Sequence, residues 1–359
     1  MWCNSQGLYG KELVAVDGSK IRANCSRKNI HGQNLTEKEL ASVEKKINDY
    51  MNALEENDAV ETVEAKLSSE IIHEILTRLN EKKNTLQSWL KQIEANGGNE
   101  ISTVDSDAHI MHQSGDGRNL DACYNVQAVV DEKHKLIVDF AVSTCPDDYG
   151  HLSIMTESAK EIMGVAKLSA LADKGYYSGE DIAECEKAGT TCFVPQLENG
   201  RCAPDPQYNH ENFKYIQETD TYICPQGNIL ISRKPRKRQD GKWNRAYTNA
   251  TACGSCPNRE HCTRDKRGRQ IIRNPYQETL DIIDERMKTD EARRIFRERK
   301  KIVEHPFGTT KHIWGYRQFL CRGQGKITAE QTLVFLAYNF RRVFNICKEN
   351  RKNLVEMMG

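Results

Sequence analysis

Three carboxylates stand in local contexts able to build a site for hard cations. They are Asp17 in Leu-Val-Ala-Val-Asp-Gly-Ser-Lys, Asp173 in Leu-Ser-Ala-Leu-Ala-Asp-Lys-Gly-Tyr-Tyr, and Glu304 in Ile-Val-Glu-His-Pro-Phe-Gly. The first two close short apolar runs, where a strand would stop with its last side chain in a cleft. The third lies in a charged helical stretch. Hard divalent ions take oxygen ligands and keep open positions for water and phosphate, so carboxylates drawn from distant parts of a chain suit phosphodiester chemistry. One Mg²⁺ or Mn²⁺ held by Asp17 and Asp173 would generate a nucleophile from water or a 3′-hydroxyl. A second, held by Asp17 and Glu304, would stabilise the leaving oxygen.

A second constellation consists of Cys224, the pair in Cys253-Gly-Ser-Cys256, and Cys262. A C-x₂-C step, a further Cys six residues on and one from an earlier hairpin supply four thiolates at the spacing of a zinc ribbon. A structural Zn²⁺ is the expectation, with Cys202 or His261 able to replace one ligand. Reduced thiols without metal are the alternative. The chain has thirteen cysteines and opens on no basic-then-apolar leader, which points to a reducing, cytoplasmic compartment. The remaining eight (Cys3, Cys25, Cys123, Cys145, Cys185, Cys192, Cys321, Cys347) read as small buried thiols.

Formal net charge is only +1 across 359 residues. The average conceals a patch, since thirteen Lys or Arg face three acids between Arg233 and Arg273, a local net of +10. A phosphate backbone responds to such a patch whatever the mean charge. Arg233, Lys234, Arg236, Lys237, Arg238, Arg267, Arg269 and, further on, Lys300 are therefore the candidate DNA contacts. No apolar run approaches the roughly 20 residues that a membrane span needs.

The elements that must position these groups alternate. A strand is expected over residues 12–17, then two long amphipathic helices folded as an antiparallel hairpin. Leu40, Val43, Ile47, Tyr50 and Leu54 repeat at helical spacing, as do Ile71 or Ile72, Ile75, Leu79, Leu86, Leu90 and Ile93. Thr36 with Glu39 reads as a capping box opening the first helix. Strands over 121–131 and 135–143 form a hairpin, followed by a helix over 151–163, a strand over 168–172, a helix over 178–188 and a strand over 191–194. Residues 196–290 read as short strands and turns. A helix over 291–310 should kink or end just after Glu304 because of Pro306, and a last helix spans 330–347. Asp105 and Asp107 read as turn residues, and Trp314, Tyr316 and Arg317 as aromatic packing or contacts to unpaired DNA.

Four segments carry a resemblance: Asp17-Gly-Ser-Lys, Tyr124-Asn-Val-Gln-Ala, Ala172-Asp-Lys-Gly-Tyr-Tyr-Ser, and Val303-Glu-His-Pro-Phe-Gly-Thr-Thr-Lys311. Together, in this order, they resemble bacterial insertion-sequence transposases with a DDE catalytic domain. The resemblance implies a ribonuclease-H-like α/β fold, two Mg²⁺ or Mn²⁺ ions, and cleavage and joining of double-stranded DNA at transposon ends by at least a dimer. It implies Asp17, Asp173 and Glu304 as the catalytic triad and Lys311 as the lysine of a Glu-(six residues)-Lys signature. Two other positions of that signature, usually Tyr and Arg, are Arg297 and Lys300 here. The parts expected are a first portion of the core at 1–35, a helical hairpin insertion at 36–98, the core at 99–195, a basic Cys-rich insertion at 196–290 and C-terminal catalytic helices at 291–359. Such transposases carry a helical DNA-binding domain before the first catalytic strand, whereas only sixteen residues precede Asp17. The chain is thus expected to lack that domain. The alternative function is a transposition-inactive remnant or regulator that binds DNA. Either way the expected location is the cytoplasm, on the nucleoid when bound to DNA.

Overall fold

The computed structural model describes residues 2–58, 63–98, 100–113, 119–196, 203–233, 236–237 and 243–349. A short helix α1 (Trp2–Ser5) precedes β1 (Leu13–Arg22) and β2 (Ile30–His31). The long helices α2 (Gln33–Asp58) and α3 (Val63–Ala95) follow. Next come β3 (Ile101–Ser102), β4 (His109–His112), β5 (Leu120–Asp131), β6 (Ile137–Ser143), α4 (Leu152–Met163), β7 (Leu168–Leu171), α5 (Gly179–Lys187) and β8 (Thr190–Phe193). The next stretch holds β9 (Lys214–Ile216), β10 (Thr221–Ile223), β11 (Ile229–Ser232), β12 (Arg236–Lys237), β13 (Trp243–Thr248), α6 (Ala250–Gly254), α7 (Arg259–Cys262) and β14 (Gln270–Arg273). It closes with α8 (Gln277–Lys288), α9 (Asp290–Gly308) and α10 (Gln324–Glu349).

The first sheet has the order β4-β5-β1-β7-β8, with β6 also paired to β5. Strands β1, β7 and β8 are parallel neighbours. β5 runs antiparallel to β1, since Glu132 N donates to Leu13 O at one end and Ala23 N to Ala122 O at the other. Ten consecutive residues of β5 are buried, as expected of a strand covered on both faces. This mixed α/β architecture is compatible with the ribonuclease-H-like core that the resemblance implies.

The chain forms two compact units, and β1, β5 and β6 run through both. The first comprises residues 1–17, 128–139 and 148–305; the second comprises 18–127, 140–147 and 306–359. In the second, the apolar stripes of α2 and α3 face each other as their periodicity requires, with Val43, Ile72, Leu76, Leu86 and Ile93 buried. Ion pairs Lys82–Glu39 at 2.7 Å and Lys83–Glu44 at 3.0 Å fix the antiparallel alignment. In the first, residues 203–273 build a second sheet, β12-β13-β11-β10-β9 with β14 on β13, around a small core of Phe213, Tyr222, Leu230, Tyr247 and Ile271.

Several expectations are corrected. β1 continues past Asp17 to Arg22, through a polar stretch that gave no strand signal. The first long helix begins at Gln33, so Thr36 lies inside it and its hydroxyl donates to Gly32 O at 2.9 Å instead of capping. A full helix, α8, occupies a region read as broken. Helix α9 runs on through Pro306 to Gly308 and opens into a π turn at Thr309–Ile313. There the Thr310 hydroxyl donates to Pro306 O at 2.9 Å, which occupies a carbonyl near the disrupted turn. The last helix starts at Gln324, where Asp107 Oδ2 accepts its N–H at 2.8 Å, while the buried Asp105 accepts from Gly323 N at 3.1 Å and from the Tyr124 hydroxyl at 2.8 Å. Both aspartates are thus helix caps.

Candidate active site and cysteine cluster

The pairing of β1 with β7 sets Leu13 opposite Ser169, Val14 opposite Ala170 and Ala15 opposite Leu171, a constant offset of 156 residues. Asp17 and Asp173 differ by the same 156: Asp17 lies within β1, and Asp173 falls two residues past the end of β7 with extended backbone (φ −80°, ψ 178°). Side chains alternate along a strand, so positions in register on parallel neighbours share a face, about 4.8 Å apart. The matching offset therefore sets the two carboxylates at corresponding positions beside the C-terminal end of β7.

The segment after β7 explains its own composition. Asp173 caps the turn that follows, its Oδ1 accepting from Gly175 N at 2.8 Å. A Cβ on Gly175 would lie 2.9 Å from Asp173 Oδ1 and 3.2 Å from Asp148 Oδ2, so only glycine leaves room for both carboxylates. Tyr176 is fully buried. Burial, then the charges of Asp148, Asp17 and Asp173, push its hydroxyl well above the usual range, while Arg299 opposes them. These four charged groups thus surround one buried phenol. Tyr177 turns the other way, donating to both oxygens of Asp284 on α8 at 2.9 and 3.0 Å. Helix α8 is itself held by Arg286, which donates to Glu186 Oε1 at 2.6 Å and to Cys192 O at 2.8 Å.

Helix α9 brings Arg299 to this site. Its Nη1 lies 3.4 Å from Asp17 Oδ1, both side chains being mostly buried. That Nη1 has no aligned hydrogen-bond acceptor, so the contact is an ion pair by distance alone. Arg299 and Asp148 are site residues that sequence reasoning did not assign. The signal for Arg299 was present, because it occupies an apolar-stripe position with Ala292, Phe296 and Val303 at helical spacing. Glu304 lies five residues beyond Arg299 and is exposed, as is His305. Among the described residues no group of three or more His, Cys, Asp or Glu side chains stands ready-made to hold a metal ion. Asp17, Asp173 and Asp148 nonetheless supply the hard oxygen donors that Mg²⁺ or Mn²⁺ takes, and Arg299 already places a cation among them.

Lys311, in the second unit, is committed to β1. Its ammonium donates to Ser19 Oγ at 2.9 Å and to Lys20 O at 2.8 Å, and burial lowers its pKa. Tyr316 donates to Glu330 at 3.0 Å and Arg317 Nε to Lys311 O at 3.1 Å, so both pack locally.

Of the basic candidates, Lys234 and Arg238 lie outside the described residues, and Arg236 and Lys237 form β12. Arg233 is exposed and donates to Thr248 Oγ1 at 2.8 Å, Arg267 pairs with Asp265 at 3.2 Å, and Lys300 is exposed on α9. Arg269 is turned inward, its guanidinium 5.5 Å from the Phe213 ring centre. It lines a cavity of about 30 Å³ together with Cys224, Cys253, Cys256 and Cys262. Burial pushes the Cys262 thiol up, the Arg269 guanidinium pulls it down, and Cys253, Cys224 and Cys256 push it up again. The four cysteines line this one cavity without standing as a ready-made metal-holding group, His261 is exposed, and Cys202 lies outside the described residues. Of the other eight, Cys123, Cys185, Cys192 and Cys347 are buried, Cys3, Cys25 and Cys321 are half-buried, and Cys145 is exposed, against expectation.

No described helix is long and apolar enough to cross a membrane. Comparison with curated proteins and with solved structures finds no match. Residues 223–344, about a third of the chain, match the family described as the transposase DDE domain. The matched stretch contains Glu304, Lys311 and the four converging cysteines, while Asp17 and Asp173 precede it. Over these residues the match bears out the resemblance to a DDE transposase.

Proposed function

We propose that this transposase cuts and joins DNA strands with divalent-metal help, using Asp17, Asp173 and Glu304. The observation that supports this reading most directly is the 156-residue offset that Asp17 and Asp173 share with the paired residues of the parallel strands β1 and β7. When bound there, Mg²⁺ or Mn²⁺ would supply Lewis-acid activation of a water or 3′-hydroxyl and neutralise charge on the scissile phosphate. Asp17 and Asp173 would serve as ligands from β1 and the end of β7, and Glu304 would complete the set from α9. Arg299 neutralises Asp17 in the metal-free protein. Tyr176 closes the floor beneath the carboxylates, keeping bulk water from that side. Lys300, exposed on the helix of Glu304, offers charge to the DNA backbone, as do Arg233 and Arg267 on the smaller sheet. The resemblance assigns Lys311 a phosphate contact as well, although its ammonium is engaged on β1.

The test is strand joining. Protein, Mn²⁺ and a pre-cleaved end of the element encoding this chain are incubated with plasmid, beside an Asp173→Asn variant. Joined product that disappears in the variant supports the enzyme. DNA binding by both proteins with joining by neither overturns it in favour of a non-catalytic DNA-binding regulator.

A further inference from the structure

We propose that Cys224, Cys253, Cys256 and Cys262 bind one structural zinc ion that ties together the two halves of the small sheet subdomain. This does not rest on the catalytic reading, because none of these residues belongs to the carboxylate site.

The four cysteines come from two separate segments, the turn after β10 and the α6–α7 stretch. Cys224 follows β10 and opens a tight turn in which Gly227 N donates to Cys224 O at 2.8 Å and Cys224 N to Asn228 O at 2.9 Å, with Gly227 at φ +81°. Cys253 and Cys256 flank the turn after α6, where Cys256 N approaches Cys253 O at 3.5 Å and Arg259 N donates to Cys256 O at 3.2 Å. Cys262 ends α7. Amide-rich turns carrying a C-x₂-C step are how a chain presents paired thiolates to a tetrahedral ion. All four cysteines are free and half-buried.

The space between them decides what fits. At about 30 Å³ the cavity is far smaller than the several hundred Å³ of an organic-ligand site. A single ion fits, and four soft sulfur donors select Zn²⁺ over Mg²⁺ or Mn²⁺. The surroundings are packed to keep the space small. At Gly268, with φ +92°, an added Cβ would lie 2.5 Å from Cys253 Cβ, so the backbone passes directly over that cysteine. Cys224 and Cys262 also pack against the five-residue core. A core that small stabilises a sheet poorly, and a metal cross-link is a common remedy. The ion would join the β10–β11 turn to the α6–α7 segment and thereby fix the exposed basic loop bearing Arg264, Lys266 and Arg267.

Zinc is measured by elemental analysis on the full chain purified without chelator, and cobalt(II) is then exchanged in and the visible spectrum recorded. One zinc per chain and a cobalt spectrum with intense thiolate charge-transfer bands are expected. A Cys253→Ser/Cys256→Ser variant should lose both, whereas Cys145→Ser, at an exposed cysteine elsewhere, should keep both. Zinc well below one equivalent together with a cobalt spectrum lacking thiolate bands overturns the proposal. So does a double variant that is folded by circular dichroism and retains its zinc. Where the double variant fails to fold, the wild-type cobalt spectrum alone decides.

Discussion

Arg299 offers a test of the carboxylate site that needs no DNA. Its guanidinium stands 3.4 Å from Asp17, with side-chain exposures of 14% and 24%. At that separation an effective dielectric of about 20 gives an attraction of roughly 5 kcal/mol. Desolvation of both groups offsets much of it, and removing one partner of such a pair leaves the other charge uncompensated. For a pair still partly wet, a loss of about 2 kcal/mol follows for Arg299→Gln in metal-free buffer, or about 2 to 3 °C in midpoint for a chain of this size. The informative quantity is the response to Mg²⁺. In the wild type a cation entering beside Asp17 must displace Arg299, whereas in the variant that competitor is gone. Linkage then requires that Mg²⁺ raise the midpoint more in Arg299→Gln than in wild type, by about the net worth of the pair. The assay is differential scanning fluorimetry of both proteins across a Mg²⁺ titration, with K⁺ at matched ionic strength as control. Equal Mg²⁺ shifts in the two proteins would refute the reasoning, because Arg299 and the metal would then not share Asp17.

Gly175→Ala drives a Cβ against Asp173 and Asp148, and it should cut strand joining by about a hundredfold while costing only about 1 to 3 kcal/mol in stability. Unchanged joining would show that the two carboxylates need not hold their positions. Burial favours the neutral form of Asp220, but donors from Tyr247, Tyr215 and Arg245 outweigh it and hold this carboxyl below the usual range. Its contribution is therefore present above the ordinary value of about 3.9 and lost as pH falls through the depressed folded value. Asp220→Asn should accordingly lower the midpoint at neutral pH and converge with wild type in acid, as followed by thermal melts; a pH-independent gap would contradict this. Lys311→Met removes hydrogen bonds to Ser19 and Lys20 and should destabilise by about 1 to 2 kcal/mol. A variant with unchanged melting but abolished joining would instead assign Lys311 to phosphate contact.

The elements that sequence rendered accurately are those with strong local patterns. The hairpin of β5 and β6, helix α4 and strand β7 fall within a few residues of their expected limits, because apolar runs and turn residues bound them on both sides. Errors arose where tertiary contacts override local cues. Gly18, Ser19 and Lys20 look like a strand end, yet pairing carries β1 through them. Pro306 looks like a helix terminator, yet a π turn and the Thr310 hydroxyl accommodate it. Helix α8 escaped notice because its buried face holds only Leu280 and Ile283, and its anchors Glu186 and Cys192 are about a hundred residues away. The same distinction holds at the site. Asp17 and Asp173 could be read from the apolar runs that precede them, whereas Asp148 and Arg299 become site residues only when the chain folds.

The register that aligns Asp17 with Asp173 also constrains when the site comes into being. The pairs that create it join residues 156 positions apart, far beyond the reach of local structure. Closing so long a loop is slow relative to helix formation, so helices α2 and α3 can form while β1 still lacks its neighbour. On the ribosome, Asp17 emerges before Asp173 and waits for it until β7 has been synthesised and docked. A nascent or truncated chain ending before residue 168 therefore cannot assemble the proposed metal site, and DNA near its place of synthesis is safe from incomplete copies.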